Sequence, residues 1–338
     1  MKPWKLAVSV GAIALLACAV LTGCQTETYT PQAKEQTVSA AALGKEGVLR
    51  VGVNANSAPL AGIPEGSTKI IGIDADVAAY LADQMGLKLE LFDVGADPEA
   101  ALKAGTVDVV LGVDASATDV DYWRSERYIG KGVALFGSES ESAIPVPGDT
   151  SSSIAAQEGT WSEKRVTDLF GTDVLVKVID LRTALENVTQ GTVRYAAGDV
   201  LAGTYLADYP DYNIDVKVLA LLQDPSGYCA AVSQSNTELW TAIGGALKAL
   251  TQGGMMDIIE TKWLGAPLNI DGCTVVKTAS LEAANERIEA EKEAAAAEEE
   301  AAAEGEGEEG EGEEAPAEDY GYEEAPAEDG GYEGEGTY

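Results

Sequence analysis

The region 48–112 constrains the fold most, because short apolar runs alternate there with helical patterns. Strand-like runs stand at its start, middle and end, at 48–53, 87–94 and 107–112. A helical pattern over 71–86 separates the first two runs, and a shorter one separates the second from the third. This order is typical of an open α/β sheet, in which ligands bind at the carboxyl ends of the strands. We therefore expect the loops after the first and third strands to carry function.

Charge is distributed unevenly along the 338 residues, whose formal net charge is −35. Residues 281–338 contain 23 acidic and 2 basic side chains, whereas the preceding residues contain 34 and 20. That body is acidic enough to repel nucleic acid and anionic lipid, so neither is expected as a partner. The chain has no histidine, which excludes a Ser-His-Asp triad and a His-ligated metal. We expect no metal and no cofactor.

The first residues have the pattern of an export segment. Lys2 and Lys5 precede an apolar stretch, so 1–23 predicts a signal peptide of the lipoprotein type. The segment Leu21-Thr22-Gly23-Cys24 resembles a lipobox, whose cysteine becomes the lipid-carrying first residue. An uncleaved membrane anchor is the alternative. Either interpretation places the body on the extracytoplasmic face of the cell membrane, with 24–44 as a flexible tether.

The C-terminal residues 280–338 begin with an Ala/Glu-rich segment and continue with Gly-Glu runs and a near-repeat. Such a composition cannot bury enough apolar surface to offset the entropy of ordering, so a disordered acidic tail is predicted. Weak cation binding, spacing within a crowded envelope and a solvated bristle without a partner stay open as its roles.

Several short motifs follow one another along the body: Val51-Gly52-Val53, Ala58-Pro59-Leu60, Gly72-Ile73-Asp74-Ala75-Asp76-Val77, Gln157-Glu158-Gly159-Thr160 and Lys262-Trp263-Leu264-Gly265. In this order they resemble the extracytoplasmic solute-binding proteins of amino-acid-type ABC transporters. The resemblance spans 48–265 and implies an α/β fold with two lobes, the type II periplasmic-binding-protein clamp with two crossover strands. Lobe one is expected at 45–136 and 228–279, and lobe two at 137–227.

The same resemblance implies a function. The protein would capture a small polar solute, an amino acid or a related amine or zwitterion, between the lobes. It would deliver that solute to an ABC permease in the membrane, as a monomer and without catalysis. Two alternatives stay open: an extracytoplasmic ligand sensor or surface module, and a dehydratase-like enzyme on the same fold.

The expected cleft residues come from the loops that the family uses for its ligand. They are Asn54, Ser57, Asp114, Ser116, Thr118, Arg124, Thr160, Trp161 and Asp199. Asp199 would accept the ligand ammonium, and Thr160, at a helix N-terminus, would contact its carboxylate; helix capping is the alternative for both. The family's carboxylate-binding arginine falls on Val120 or Asp121, so either Arg124 reaches in or that contact is missing.

Other residues have open interpretations. The family's aromatic positions fall on Ser57 and Leu60, and Trp161 either replaces a missing aromatic wall or packs on the surface of lobe two. Asp74 is expected to cap the helix after the first strand, with metal binding by Asp74 and Asp76 as the alternative.

The cysteines suggest a covalent link. Cys18 would leave with the signal peptide and Cys24 would be lipidated, so Cys229 and Cys273 would remain in an oxidising setting. We predict a disulfide between them, with two buried free thiols as the alternative.

Overall fold

The structure, a computed structural model, describes residues 34–145 and 152–277. The predicted signal peptide 1–23, the lipidation site Cys24 and all of the predicted tail 280–338 lie outside these residues. Among the described residues, no helix has the length and hydropathy needed to cross a bilayer.

Strands and helices alternate along most of the described chain. In chain order the strands are β1 (Val48–Val53), β2 (Asn56–Ser57), β3 (Ala61–Gly62), β4 (Lys88–Asp93), β5 (Val109–Asp114), β6 (Trp123–Arg124), β7 (Ile129–Lys131), β8 (Val133–Ser138), β9 (Ile154–Gln157), β10 (Leu175–Val178), β11 (Tyr195–Asp199), β12 (Val216–Leu221) and β13 (Ser226–Val232). The α-helices are α1 (Ile73–Gln84), α2 (Pro98–Lys103), α3 (Trp161–Phe170), α4 (Leu181–Thr189), α5 (Val200–Asp208), α6 (Thr237–Gln252) and α7 (Met255–Leu264). Short 3-10 helices span Ala40–Ala42 and Ile270–Gly272.

The strands form two main sheets. The first has the order β4-β1-β5-β13-β6, with β7 also paired to β13, and the second has the order β10-β9-β11-β8-β12. In the first, β1 lies parallel to β4 and β5; in the second, β9 lies parallel to β10 and β11. Each sheet with its helices is one lobe, so the two-lobed α/β fold predicted from the sequence is confirmed.

The chain passes between the two sheets through short connections. It leaves the first sheet after Lys131 and enters the second at Val133, then returns between Leu221 and Ser226. A lobe boundary drawn at the sheets therefore lies four residues before the expected start of lobe two at Gly137. Apart from this start and from the last described segment, the expected boundaries stay predictions.

A third connection follows the helix Ile270–Gly272. Residue Val275 lies parallel to Leu221 at the edge of the second sheet. The Leu221 amide donates to the Thr274 carbonyl oxygen at 2.8 Å, and the Val276 amide donates to the Leu221 carbonyl oxygen at 2.8 Å. Val276 is buried in the core of lobe two. The end of the described chain thus belongs to lobe two, whereas the sequence assigned it to lobe one.

The closing helix α7 is attached to α1 through one carboxylate. Asp76 accepts hydrogen bonds from Lys262 Nζ at 2.6 Å and from Trp263 Nε1 at 2.7 Å. The Lys-Trp pair of the closing motif therefore secures α7 to α1 in lobe one. Asp76 has a structural contact here and is not grouped with other potential metal ligands within the described residues.

The tether prediction is wrong for its last part. Val38, Ala42 and Leu43 are buried against lobe one, and the Thr37 amide donates to the Met85 carbonyl oxygen at 3.1 Å. A short run of this kind, rich in small alanines, gives no clear helix or strand period, and the surface that covers it comes from segments distant in sequence.

Asp108 joins this N-terminal segment to the first sheet. Its carboxylate accepts from Arg50 Nη2 at 2.7 Å, from Arg50 Nε at 3.2 Å and from the Gly44 amide at 2.9 Å. The Asp108 side chain is only 4% exposed and that of Arg50 16%. A buried charge of this kind is tolerated because paired hydrogen bonds compensate for its desolvation.

We expect Asp108→Ala to lower the free energy of unfolding by about 3–5 kcal/mol, because it leaves Arg50 without its buried partner. The matched control is Glu90→Ala, which removes an exposed acid paired with Lys45 and should cost at most about 1 kcal/mol. Urea unfolding followed by circular dichroism measures both. Equal, small losses in the two variants would contradict the structural role of Asp108.

Asp74 is not the helix cap that the sequence predicted. Gly72 occupies the N-cap position, and Asp74 lies in the first turn of α1, where its side chain is buried. Burial raises the pKa of the Asp74 carboxyl to about 7, although a hydrogen bond from Tyr128 Oη at 2.5 Å opposes the shift. The Tyr128 hydroxyl in turn accepts from the Gly112 amide at 2.7 Å.

This pKa predicts a pH-dependent stability. The native state holds the Asp74 proton up to about pH 7, whereas the unfolded chain releases it near 3.8. Between these values the folded state binds more protons, so Asp74 makes stability fall as pH rises. Asp74→Asn should remove this loss and be more stable than wild type by roughly 2–4 kcal/mol at pH 8 but not at pH 4.

Unfolding in urea at pH 4, 6 and 8 measures this difference. Asp83→Asn, on the same helix but exposed, is the control and should follow the pH dependence of wild type. A constant difference between Asp74→Asn and wild type across the range would contradict the prediction.

Candidate functional site

Two pockets open at the carboxyl ends of the parallel strands. The lobe-one pocket has a volume of about 360 Å³, and the lobe-two pocket about 420 Å³. The lobe-one pocket is lined by Asn54, Ser57, Gly95, Ala96, Pro98, Val110, Leu111, Gly112, Val113, Asp114, Ala117, Tyr122 and Tyr228. The lobe-two pocket is lined by Lys131, Gly132, Val133, Gln157, Thr160, Trp161, Ser162, Leu181, Ala197, Gly198, Asp199, Ala202 and Gln223.

The first sheet and the adjoining β2–β3 hairpin bring three of the expected residues into the lobe-one pocket. Asn54 directly follows β1, Ser57 lies in the β2–β3 hairpin, and Asp114 ends β5. Because β1 and β5 are parallel neighbours, their carboxyl ends meet at one edge of the sheet. Asn54 Oδ1 accepts from the Asn56 amide at 3.1 Å, which holds the loop at the mouth of the pocket.

Asp114, Tyr228 and Lys131 form a cluster that follows from strand register. Asp114 pairs with Tyr228 across β5 and β13, and Lys131 pairs with Ser226, two residues before Tyr228. Lys131 and Tyr228 are therefore diagonal neighbours on one face. Lys131 Nζ lies 5.3 Å from the centre of the Tyr228 ring and forms an ion pair with Asp114 Oδ2.

The electrostatics of this cluster favour an ionised Asp114. Burial raises the pKa of the Asp114 carboxyl, but hydrogen bonds from Lys131 and Ser116 more than offset this and leave the pKa lowered. Burial raises the pKa of the Tyr228 hydroxyl, and the nearby charges of Asp199 and Asp114 raise it further. Tyr228 thus stays a neutral hydroxyl beside charged groups.

Helix caps position Thr160 and Asp199 in the lobe-two pocket. Thr160 is the N-cap of α3 and accepts from the Glu163 amide at 3.3 Å, while its hydroxyl donates to the Gln157 carbonyl oxygen at 2.7 Å. Asp199 is the N-cap of α5 and accepts from the Ala202 amide at 2.9 Å. Capping, which the sequence left as an alternative, therefore occurs at both residues, and both also line the pocket.

Asp199 is the more unusual of the two caps. Desolvation by its surroundings raises the pKa of its carboxyl, against the opposing effects of the Ala202 amide and of Lys131. Asp199 forms no ion pair with any other described residue. A cation that enters the pocket would stabilise the ionised form of this carboxylate. Its charge would compensate for the hydration that the carboxylate loses on folding.

Trp161 follows Thr160 at the rim of the lobe-two pocket and is 55% exposed. Its Nε1 donates to Gln223 Oε1 at 2.7 Å, and Gln223 lies in the return connection between the lobes. The ring is thus held over the pocket entrance rather than packed into the core.

Three expected residues do not line either pocket. Ser116 donates to Asp114 Oδ1 from its hydroxyl at 2.7 Å, and Thr118 is exposed. Arg124 Nη1 donates to the carbonyl oxygens of Ala115 and Ala117 at 2.9 and 2.6 Å. Arg124 therefore stabilises the loop after β5 and does not line either pocket.

Sequence reasoning missed the residues that the connecting strands contribute. Lys131 lies at the end of β7 and Tyr228 near the start of β13, the two crossover strands for which the resemblance implied no ligand contact. Tyr122 and Tyr228 supply lobe-one aromatic surface that the positions Ser57 and Leu60 do not. The signal available was the presence of charged and aromatic residues at the two crossovers.

The predicted disulfide is wrong, because Cys229 and Cys273 are both free thiols. Cys229 is fully buried in the cluster that contains Val113 and Tyr122, whereas Cys273 packs against a different hydrophobic cluster. Each thiol has its own partner: Cys229 Sγ donates to the Val113 carbonyl oxygen at 3.4 Å, and Cys273 Sγ donates to the Asn269 carbonyl oxygen at 3.5 Å.

These features define a class of protein: two α/β lobes with short connections and polar pockets at the facing strand ends, arranged to bind a small polar molecule. Comparison with known proteins agrees. Residues 49–266 match the family described as bacterial extracellular solute-binding proteins, family 3. The chain belongs to this family.

Individual relatives support the assignment. The L-cystine-binding protein TcyA of Bacillus subtilis (strain 168) is 25% identical over 228 residues, covering 67% of this chain and 84% of the relative. A probable amino-acid ABC transporter-binding protein of Haemophilus influenzae is 27% identical over 229 residues, covering 65% and 86%. The structure of a polar amino acid ABC uptake transporter substrate-binding protein from Streptococcus thermophilus has a TM-score of 0.59 at 20% identity, covering 67% and 89%. That structural likeness supports the fold.

The free thiols give a testable prediction. Burial raises the pKa of the Cys229 thiol to about 11, so this group has almost no reactive thiolate at pH 8. In native protein, iodoacetamide should modify Cys273 and leave Cys229 intact; both should react in denaturant without a reducing agent. Peptide mass mapping distinguishes the sites. A Cys229–Cys273 linked peptide would contradict the prediction.

Proposed function

We propose that this protein is the substrate-binding component of an ABC importer and captures a small amino-acid-like zwitterion or amine between its lobes. The observation that carries the proposal is the Asp199 carboxyl, which lines a pocket, is desolvated and forms no ion pair with another described residue. An ammonium group of the solute would supply that partner. Both relatives described above have names that include binding of L-cystine or amino-acid transport.

Capture would involve both lobes. A solute held at Asp199 faces Asn54, Ser57 and Asp114 across the cleft, so closure of the lobes would enclose it. Because the closed form makes contacts from both sides, the solute binds it more tightly and shifts the equilibrium toward closure. A permease in the membrane would then recognise the closed form.

The protein would act without chemical change to its solute. The carboxylates of the site already have structural hydrogen bonds, Asp114 to Ser116 and Asp199 to the α5 amide. Asp114 is held ionised by its ion pair with Lys131, and Asp199 forms no ion pair with another described residue. We therefore expect the site to bind the solute and to release it unchanged.

The cellular setting follows from the terminal sequences. A lipid on Cys24 would hold the protein at the extracytoplasmic face of the membrane as a monomer. The segment before Lys34 would link the anchor to lobe one, because the chain packs on that lobe from Thr37 onward. The lobes would divide near the sheet connections, and the acidic tail 280–338 would act as a solvated extension.

Thermal unfolding of the purified protein against amino acids, diamines and cystine tests the proposal. A solute at about 100 times its dissociation constant should add about 2.7 kcal/mol, which appears as a clear rise in Tm. Asp199→Asn should weaken binding at least ~10-fold, because a hydrogen bond to a charged group contributes about 1.5–3 kcal/mol. The asparagine can still cap α5, so the fold is retained.

Asp180→Asn is the matched control. Asp180 is also an N-cap aspartate of lobe two, accepts from the Thr183 amide at 2.7 Å and does not line the pocket. It should leave affinity unchanged. No stabilisation by any member of the panel, or equal effects of the two substitutions, would contradict the proposed function.

A further inference from the structure

The contacts of Lys131 within the protein do not use all of its hydrogen-bond donors. It lies at the end of β7, where the chain leaves lobe one, and it lines the lobe-two pocket. Its ammonium forms an ion pair with Asp114 and lies over the Tyr228 ring. An ammonium has three N–H donors, and Asp114 is the hydrogen-bond acceptor found for them among the described residues. The remaining donors are available to a group in the pocket.

Asp114 orients this ammonium and is itself satisfied. Its Oδ1 accepts from the Ser116 amide at 2.9 Å and from the Ser116 hydroxyl at 2.7 Å, and its Oδ2 accepts from Lys131. This carboxylate therefore has little capacity left for a solute ammonium. We assign it a positioning role, which differs from the ligand contact expected from the sequence.

Lys131 and Asp199 line the same pocket of about 420 Å³ without forming an ion pair. They are close enough for Lys131 to oppose the rise in the Asp199 pKa that burial causes. The pocket thus presents separate positive and negative groups at its wall. This arrangement is complementary to a zwitterion, whose carboxylate and ammonium need opposite partners a short distance apart.

Other cations are not placed for the same role. Among the described residues that line the two pockets, Lys131 is the only lysine or arginine. Arg124 is the arginine nearest in sequence to the expected position. Its Nη1 donates hydrogen bonds to the carbonyl oxygens of Ala115 and Ala117. A solute carboxylate in the cleft would therefore meet Lys131.

We infer that Lys131, held by Asp114 over Tyr228, binds the carboxylate of the solute while Asp199 binds its ammonium. This inference rests on the proposed function and adds a specificity-determining residue to it. The cationic contact comes from the connection between the lobes rather than from the loop after β5. A solute that keeps the ammonium but lacks the carboxylate loses this contact, so the site discriminates amino acids from the corresponding amines.

The experiment compares each amino acid with its decarboxylated counterpart. Calorimetry on the purified protein uses the pairs L-arginine and agmatine, L-ornithine and putrescine, and L-cystine and cystamine. Wild type should bind at least one amino acid ~10- to 100-fold more tightly than its amine. Lys131→Met should weaken that amino acid ~10- to 100-fold and change the amine less than ~3-fold, which removes the discrimination. If the methionine variant does not fold, Lys131→Gln takes its place in the test. It keeps a polar side chain beside Asp114 and should have the same effect on binding.

Lys45→Met is the control for loss of a positive charge. Lys45 precedes β1, pairs with the exposed Glu90 and lies at the opposite edge of the sheet from the pockets, so this variant should bind like wild type. Retained discrimination in a folded Lys131 variant, or a wild type that binds amines as tightly as amino acids, would overturn the role of Lys131 and leave solute capture intact. Absence of binding by every compound would overturn both.

Discussion

The arrangement of the site depends on one constraint: parallel strands in both sheets end at the same cleft. In lobe one this places Asn54 after β1 and Asp114 at the end of β5; in lobe two it places Asp199 at the end of β11. Polar groups that are far apart in sequence therefore face one another without any long loop. Because only one residue separates β7 from β8, the last side chain of β7, that of Lys131, lies at the cleft.

Burial has different consequences for the carboxylates of this chain, and the available partner decides which. Asp108 is buried but has Arg50, so it stabilises the N-terminal segment. Asp74 is buried with only a hydroxyl donor, and its pKa rises to about 7. Asp114 has a lysine and a serine and stays ionised. Asp199 has a helix amide and only the nearby charge of Lys131, without an ion pair to any described residue, which leaves most of its negative charge for a solute to compensate.

Much of the fold was readable from the sequence, because apolar periodicity is a local signal. The helix α1 lies within the predicted helical segment 71–86, and β1, β4 and β5 lie within about two residues of the predicted runs 48–53, 87–94 and 107–112. Failures occurred where tertiary contacts decide the outcome. Val38 and Leu43 are buried by surfaces distant in sequence, Gly72 rather than Asp74 takes the helix cap, and Cys229 and Cys273 belong to different clusters.

The sequence alone determined the α/β class, the family to which the chain belongs and the placement of polar residues at strand ends, since each depends on order and spacing along the chain. It also showed that the expected arginine position holds Val120 or Asp121. Only the tertiary structure decided which charged groups share a pocket. Lys131 reaches the cleft because β7, β13 and β5 pair in one register, and that register is a property of the folded sheet.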